Sequence, residues 1–129
     1  MKYLGIDYGS KFVGIAISDE GGGIAFPRAE IPNDEKLLSF LVRMIEQEKI
    51  GQILLGDTRS SGGRANPVTE AVEKFAVVLA QATAVPLEFV PEIWSSIEAS
   101  RYAEKGNEHS NAAAAAIILQ RFLDMKAPK

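Results

Sequence analysis

Apolar and polar positions alternate along this chain in two rhythms, one of period two and one close to 3.6. Lys2 to Ile6 and Phe12 to Ser18 are apolar runs parted by the polar turn "DYGSK", and they read as two strands of a hairpin. In the second run Val13, Ile15 and Ile17 alternate with Gly14, Ala16 and Ser18, so one face is bulky and the other small. A small face allows close approach, and a helix is the expected neighbour. "DEGGG" then turns the chain into a third strand, "IAFPRAEI", whose Pro27 suits a sheet edge because it has no N–H to give to a ladder.

The rhythm lengthens after Ile31. Leu37, Leu38, Leu41, Val42 and Ile45 form one helical stripe, with Asn33 as the expected cap and Asp34 and Glu35 near the positive helix end. "GQILLGD" is a short buried strand, followed by the polar, glycine-rich loop "TRSSGGRAN". Asn66-Pro67 reads as a cap and a proline at the first helical position, and Val68, Val72, Phe75, Leu79 and Ala82 carry that helix on one face. "VPLEFV" is a further strand. "SSIE" fits a capping box for a helix that stops near Gly106. In the final helix, "HSNAAAAAIILQRFLDM", the alanine run permits tight packing and Ile117, Ile118, Phe122 and Leu123 are expected to bury the distal end. A three-strand meander followed by alternating helix and strand specifies an α/β fold. The expectation is one domain over residues 1–129, with a five-stranded mixed sheet and helices on both faces.

Composition narrows the chemistry. With 129 residues, 47% hydrophobic and 24% charged, the chain has the make-up of one ordinary globular domain. It has no cysteine, which removes disulfides, thiolate metal sites and cysteine nucleophiles. No apolar leader precedes the first strand, and no apolar stretch nears the roughly 20 residues of a membrane span, so a cytoplasmic location without membrane contact is expected. A net charge of −3 argues against a surface that grips a polyanion everywhere, yet leaves room for a local basic rim.

Three acids fall at strand ends: Asp7 after the first strand, Asp57 after the fourth and Glu92 after the fifth. Hard cations such as Mg²⁺ or Mn²⁺ take oxygen ligands, commonly one or two carboxylates together with substrate phosphate oxygens. Metals held this way can activate water for phosphodiester hydrolysis. The plainer alternative is that strand ends are simply where acids reach solvent.

The order of motifs resembles the YqgF family, the RuvX-like Holliday-junction resolvases also described as pre-16S rRNA nucleases. "LGIDYGSKFVGIAISD" is similar to its opening motif, "IAFP" to its third strand, and "ILLGDTRSSGGRANPVTEAVEKFAVVL" to its strand, glycine loop and helix. "PEIWSSIEA" stands where the family has Asp-Glu-Arg-Leu-Thr-Thr, and "SNAAAAAIILQRFL" where it has Asp-Ser-x-Ala-Ala before Ile-Leu-Gln. The resemblance implies a ribonuclease H-like fold and metal-dependent hydrolysis of nucleic acid, a ribosomal RNA precursor or branched DNA; a monomer or weak homodimer is expected. It assigns Asp7 and Glu92 as the first and second catalytic acids and puts Asn111 where a third is expected. Ile93 replaces the family's arginine, and Asp57-Thr58 its Leu-Pro. An amide carbonyl adds no charge to a metal site, so Asn111 should weaken the centre, and Asp57 is the acid that could compensate.

Other residues carry paired readings. Lys11, Arg59 and Arg64 lie in turns expected beside the acids and could hold a phosphate backbone; singly, each is an ordinary solvated charge. His109 could carry a proton or merely cap a helix, and Glu108 could replace an acid or favour the helix dipole. Trp94 could stack on a base or plug the core, and Ser95 and Ser96 suit caps better than nucleophiles. Beside the nuclease stand two rivals. One is a nucleic-acid-binding protein that kept the fold and lost the metal, with Asn111 and Ile93 as its signs. The other is a sugar-kinase-like ATPase suggested by "DYGS", which needs two lobes that 129 residues do not hold.

Overall fold

In the computed structural model, residues 1–9, 11–57, 67–91 and 111–126 are described, with the backbone alone at 57, 67–69, 91 and 111. The elements are β1 (Lys2–Tyr8), β2 (Phe12–Ser18), β3 (Ala25–Pro32), α1 (Leu37–Glu48), β4 (Ile50–Asp57), α2 (Pro67–Ala82), β5 (Leu87–Pro91) and α3 (Asn111–Lys126). The five strands form one sheet in the order β3-β2-β1-β4-β5. β1, β2 and β3 pair antiparallel as the expected meander, whereas β4 and β5 run parallel to β1. Pro27 does lie on an edge strand. The helix expected to stop near Gly106 falls outside the described residues.

Each face of the sheet buries its own cluster. Leu4, Ile6, Val13, Ile15, Ile53 and Leu55 pack against Leu37, Leu41, Met44 and Ile45 of α1 and Val72, Ala76 and Leu79 of α2. The opposite face sets Tyr3, Ala16, Leu54 and Val90 against Ala115, Ile118, Leu119 and Leu123 of α3. The small face of β2 therefore meets the alanine-rich helix, as its side-chain sizes require. Gly5 marks the tightest approach: a Cβ built there would lie 3.0 Å from Leu119 Cβ and 3.1 Å from the Ala115 carbonyl oxygen.

Several expectations shift in detail. Met44 and Ala76 are buried, Val42 and Ile117 are half-buried, and Ala82 is exposed. In α1 the buried set 37, 41, 44, 45 follows the helical period more closely than the expected stripe does. At the distal end of α3, Leu119 takes the place expected of Ile117 beside Ile118. Asn33 does not cap α1, whose N-cap is Lys36 without a side-chain cap bond; no acid lies in its first turn. Asp34 Oδ1 instead accepts from the Lys36 N–H at 2.9 Å, bracing a turn one residue before the helix.

Among the described residues two carboxylates are held below their ordinary pKa, and both lie at the end of the sheet where β1 begins. Backbone N–H groups of Ile24 and Gly23 donate to Asp19 and hold its carboxyl below the ordinary value. Lys2 Nζ, 3.0 Å away, does the same for Glu48, with Arg28 adding a second cation. Stability from a lowered carboxyl is complete above its unfolded value and is lost as pH falls through the folded one. Denaturant unfolding followed from neutral to acid pH should therefore show a falling limb only in the acid range, flattened in Glu48→Gln and Asp19→Asn. Gly5→Val should destabilise the chain by about 1–3 kcal/mol, since α3 must be pushed off the sheet; urea denaturation measures it.

Candidate active site

The site grows from the carboxyl end of β1. Asp7 is the sixth of seven residues in that strand, not the residue after it as the apolar run suggested, because pairing with β2 carries the ladder on to Tyr8 and Val13. The residue is 7% exposed. Among the described residues it has no hydrogen-bond or ion-pair partner, and none of their fully buried side-chain oxygens or nitrogens is unsatisfied. Together these facts describe a carboxylate sunk into the fold that keeps an opening to solvent. Burying a charge without a partner costs free energy, so a residue held this way is suited to an added cation.

Strand alternation gives Asp7 its face. Tyr3, Gly5 and Asp7 share the side that α3 covers, whereas Leu4, Ile6 and Tyr8 face α1 and α2. The helix runs antiparallel to β1. The Tyr3 ring lies 5.9 Å from that of Phe122 with Lys126 Nζ 5.4 Å from its centroid, and Gly5 abuts Leu119 and Ala115. Two more strand residues advance about 6.7 Å, and four helix residues about 6 Å, so Asp7 falls opposite the start of α3. Asn111 is the first residue of that helix. The fold thus brings the beginning of α3 to Asp7 across more than a hundred residues of sequence.

Asp7 also stands between glycines. Its partner on β2 is Gly14. Ile6 pairs with Leu55 on β4, and continuing that register one for one puts Gly56 level with Asp7. Both glycines are buried and neither has a side chain to fill the space beside the acid. On the same count Asp57, the last residue of β4, is level with Tyr8 rather than with Asp7; its partner on β5 is Pro91.

The turn that follows Asp7 is tied down by Asn33, the residue expected to cap α1. Asn33 Nδ2 donates to the Gly9 carbonyl at 2.8 Å, and the Asn33 backbone N–H donates to the Lys11 carbonyl at 2.9 Å. An asparagine before an apolar helix signals a cap from sequence; only the meander shows that a carbonyl 24 positions earlier is the better acceptor. Lys11 is exposed on that strapped turn, on the acid side of the sheet as expected. Arg59, Arg64, Glu92, Trp94, Ser95, Ser96, Glu108 and His109 lie outside the described residues. Among the described residues no three His, Cys, Asp or Glu side chains gather to hold a metal; of the expected acids, Asp7 is the one whose side chain is described.

A family model described as "RuvX: Holliday junction resolvase" matches residues 1–125. A Dictyoglomus thermophilum protein named "Putative pre-16S rRNA nuclease" is 35% identical, the match covering 96% of each chain. One of the same name from Maridesulfovibrio salexigens is 36% identical over 95% of this chain and 98% of that one. Among solved structures, T. thermophilus RuvC in complex with Holliday junction substrate superimposes with a TM-score of 0.64, covering 98% of this chain and 95% of that one. At 13% identity this likeness concerns the fold, and it agrees with the expected ribonuclease H-like architecture. Asn33→Ala should cost about 0.5–1.5 kcal/mol in urea denaturation and raise amide hydrogen exchange in the turn that follows Asp7.

Proposed function

We propose that this chain, which belongs to the RuvX family, is a divalent-metal-dependent nuclease that hydrolyses phosphodiesters of structured nucleic acid, its task being 5′-end processing of pre-16S rRNA. The observation that carries this reading is Asp7: a buried carboxylate, without a partner among the described residues, at the carboxyl edge of the sheet, flanked by glycines and opposite the start of α3. The edge beyond the carboxyl ends of parallel strands is where open α/β sheets bind ligands. The names carried by the full-length relatives support the RNA substrate.

The residues fit a hard cation. Asp7 and Glu92 are the principal acids; Glu92 comes directly after β5 and two positions beyond Val90, which packs on the α3 side. Asp57 joins them as a compensating acid, although it must reach from the register position of Tyr8. Asn111 supplies at most an amide oxygen at the margin. Bound Mg²⁺ or Mn²⁺ would lower the pKa of water and offset negative charge on the phosphodiester. Lys11, Arg59 and Arg64 hold the phosphate backbone and carry no sequence information.

The family description and the RuvC likeness favour a second substrate, the four-way DNA junction, whose two-fold symmetry calls for a dimer. One assay separates the readings. A labelled pre-16S rRNA fragment and a four-way junction are each incubated with Mg²⁺ or Mn²⁺ and with the unchanged chain or Asp7→Asn. Cleavage of the RNA that vanishes in Asp7→Asn is the expected result. Cleavage of the junction alone would establish the resolvase instead. Binding of either with no cutting by the folded, unchanged chain would mean a binding protein that has lost its chemistry.

A further inference from the structure

The end of β3 and the start of α1 leave a groove at the carboxyl end of the sheet, on the side away from α3. It has a volume of about 310 Å³ and is lined by Ile31, Pro32, Asp34, Lys36, Leu37 and Phe40. Leu37 is buried and Ile31 half-buried, so they form an apolar floor, while Pro32 and Phe40 are its exposed walls. Phe40 is 39% exposed, although a large ring gains more than most side chains from burial. Asp34 and Lys36 add one negative and one positive charge at the rim. This groove adjoins the candidate site. Pro32 pairs with Phe12, the residue after Lys11, and Asn33 bonds the Gly9 and Lys11 carbonyls. Asp7 pairs with Gly14 and Gly14 with Glu30, two residues before Pro32. With strands about 4.8 Å apart and a rise of about 3.4 Å per residue, Pro32 lies about 12 Å from Asp7.

We infer that this groove seats one unpaired nucleobase of the substrate, stacked on Phe40, while Lys11 and Lys36 hold the phosphates beside it. This rests on the nucleic-acid reading above and extends it to recognition. Single strands are held in this manner, with bases on exposed aromatic rings and phosphates on neighbouring cations. Charge sends the two parts of a nucleotide to different places. Asp34 repels a phosphate from the groove, whereas the apolar floor and the ring accept an uncharged base. The Asp34 carboxylate takes the Lys36 N–H on Oδ1 at 2.9 Å and has further acceptor capacity for the amino group of adenine, cytosine or guanine. Stacked bases advance about 3.4 Å along a strand, so the seated base is roughly three or four nucleotides from a phosphate at Asp7. Asp7 lies on the α3 side and the groove on the α1 side. The strand therefore crosses the end of the sheet at the strapped turn, where Lys11 is exposed.

The test uses a hairpin RNA with an unpaired adenine tail carrying 2-aminopurine, and the same hairpin with its tail paired to a complementary strand. Binding is followed by fluorescence anisotropy in Ca²⁺, with circular dichroism confirming that each variant is folded. Phe40→Ala should weaken binding of the tailed RNA by roughly 5- to 150-fold, without changing its salt dependence or the binding of the paired form. Lys36→Ala should weaken both and lower the salt slope by about one. On the unchanged chain 2-aminopurine fluorescence should fall as the base stacks, and Phe40→Leu, which keeps apolar bulk without a ring, should abolish that fall. If the unchanged chain binds neither RNA, the nucleic-acid reading fails and the inference with it. If it binds the tailed RNA, and Phe40→Ala and Phe40→Leu bind it equally well, the groove belongs to another occupant, such as an apolar segment of a protein partner, and the inference alone is overturned. Equal losses for tailed and paired RNA in Phe40→Leu would overturn it as well, since the ring would then not meet an unpaired base.

Discussion

The close packing of α3 on the first two strands is the constraint from which the site follows. A helix can lie this near a sheet only where side chains are small, and Gly5, Ala16 and Ala115 make such a seam. Seated there, the helix runs antiparallel to β1, with Tyr3 and Phe122 at one end. Its first residue then arrives at the carboxyl end of β1. Two parts of the chain that are remote in sequence become neighbours because the surface between them is nearly free of side chains.

The same economy governs the row around Asp7. A carboxylate in a central strand is costly unless something compensates it, and flanking glycines leave room for that compensation to be an ion and its ligands. Asn33 holds the turn beyond it, so the opening above Asp7 has a defined edge. Carboxylates with lowered pKa values lie at the other end of the sheet, Glu48 in ion pairs with Lys2 and Arg28 and Asp19 accepting backbone N–H groups, where they serve the fold. Structural charge and the candidate chemical charge are thereby kept apart along the strand axis.

Much of the architecture was legible from residue pattern alone. Period two and period 3.6 gave the described strands and helices near their observed bounds, and the small face of β2 announced a close helix. The acids Asp7 and Asp57 could be placed at strand ends because an apolar run stops there. Boundaries moved by a residue or two because ladders end where pairing ends, and pairing is a property of the partner strand. That is why Asp7 proved to lie inside β1.

What the sequence by itself determined, among the described residues, is which segments form strands and which form helices, since local periodicity and turn chemistry decide this. It could not determine which acids share a face. That depends on register, and register depends on cross-strand contacts and on a bulge that leaves no mark in the alternation of "AFPRAEIP". Nor could it show that Asn33 bonds a turn rather than a helix, because the choice lies between two acceptors brought near only by folding. Tertiary structure decided these points: the sheet, not the chain, sets the row in which Asp7 and Gly14 meet.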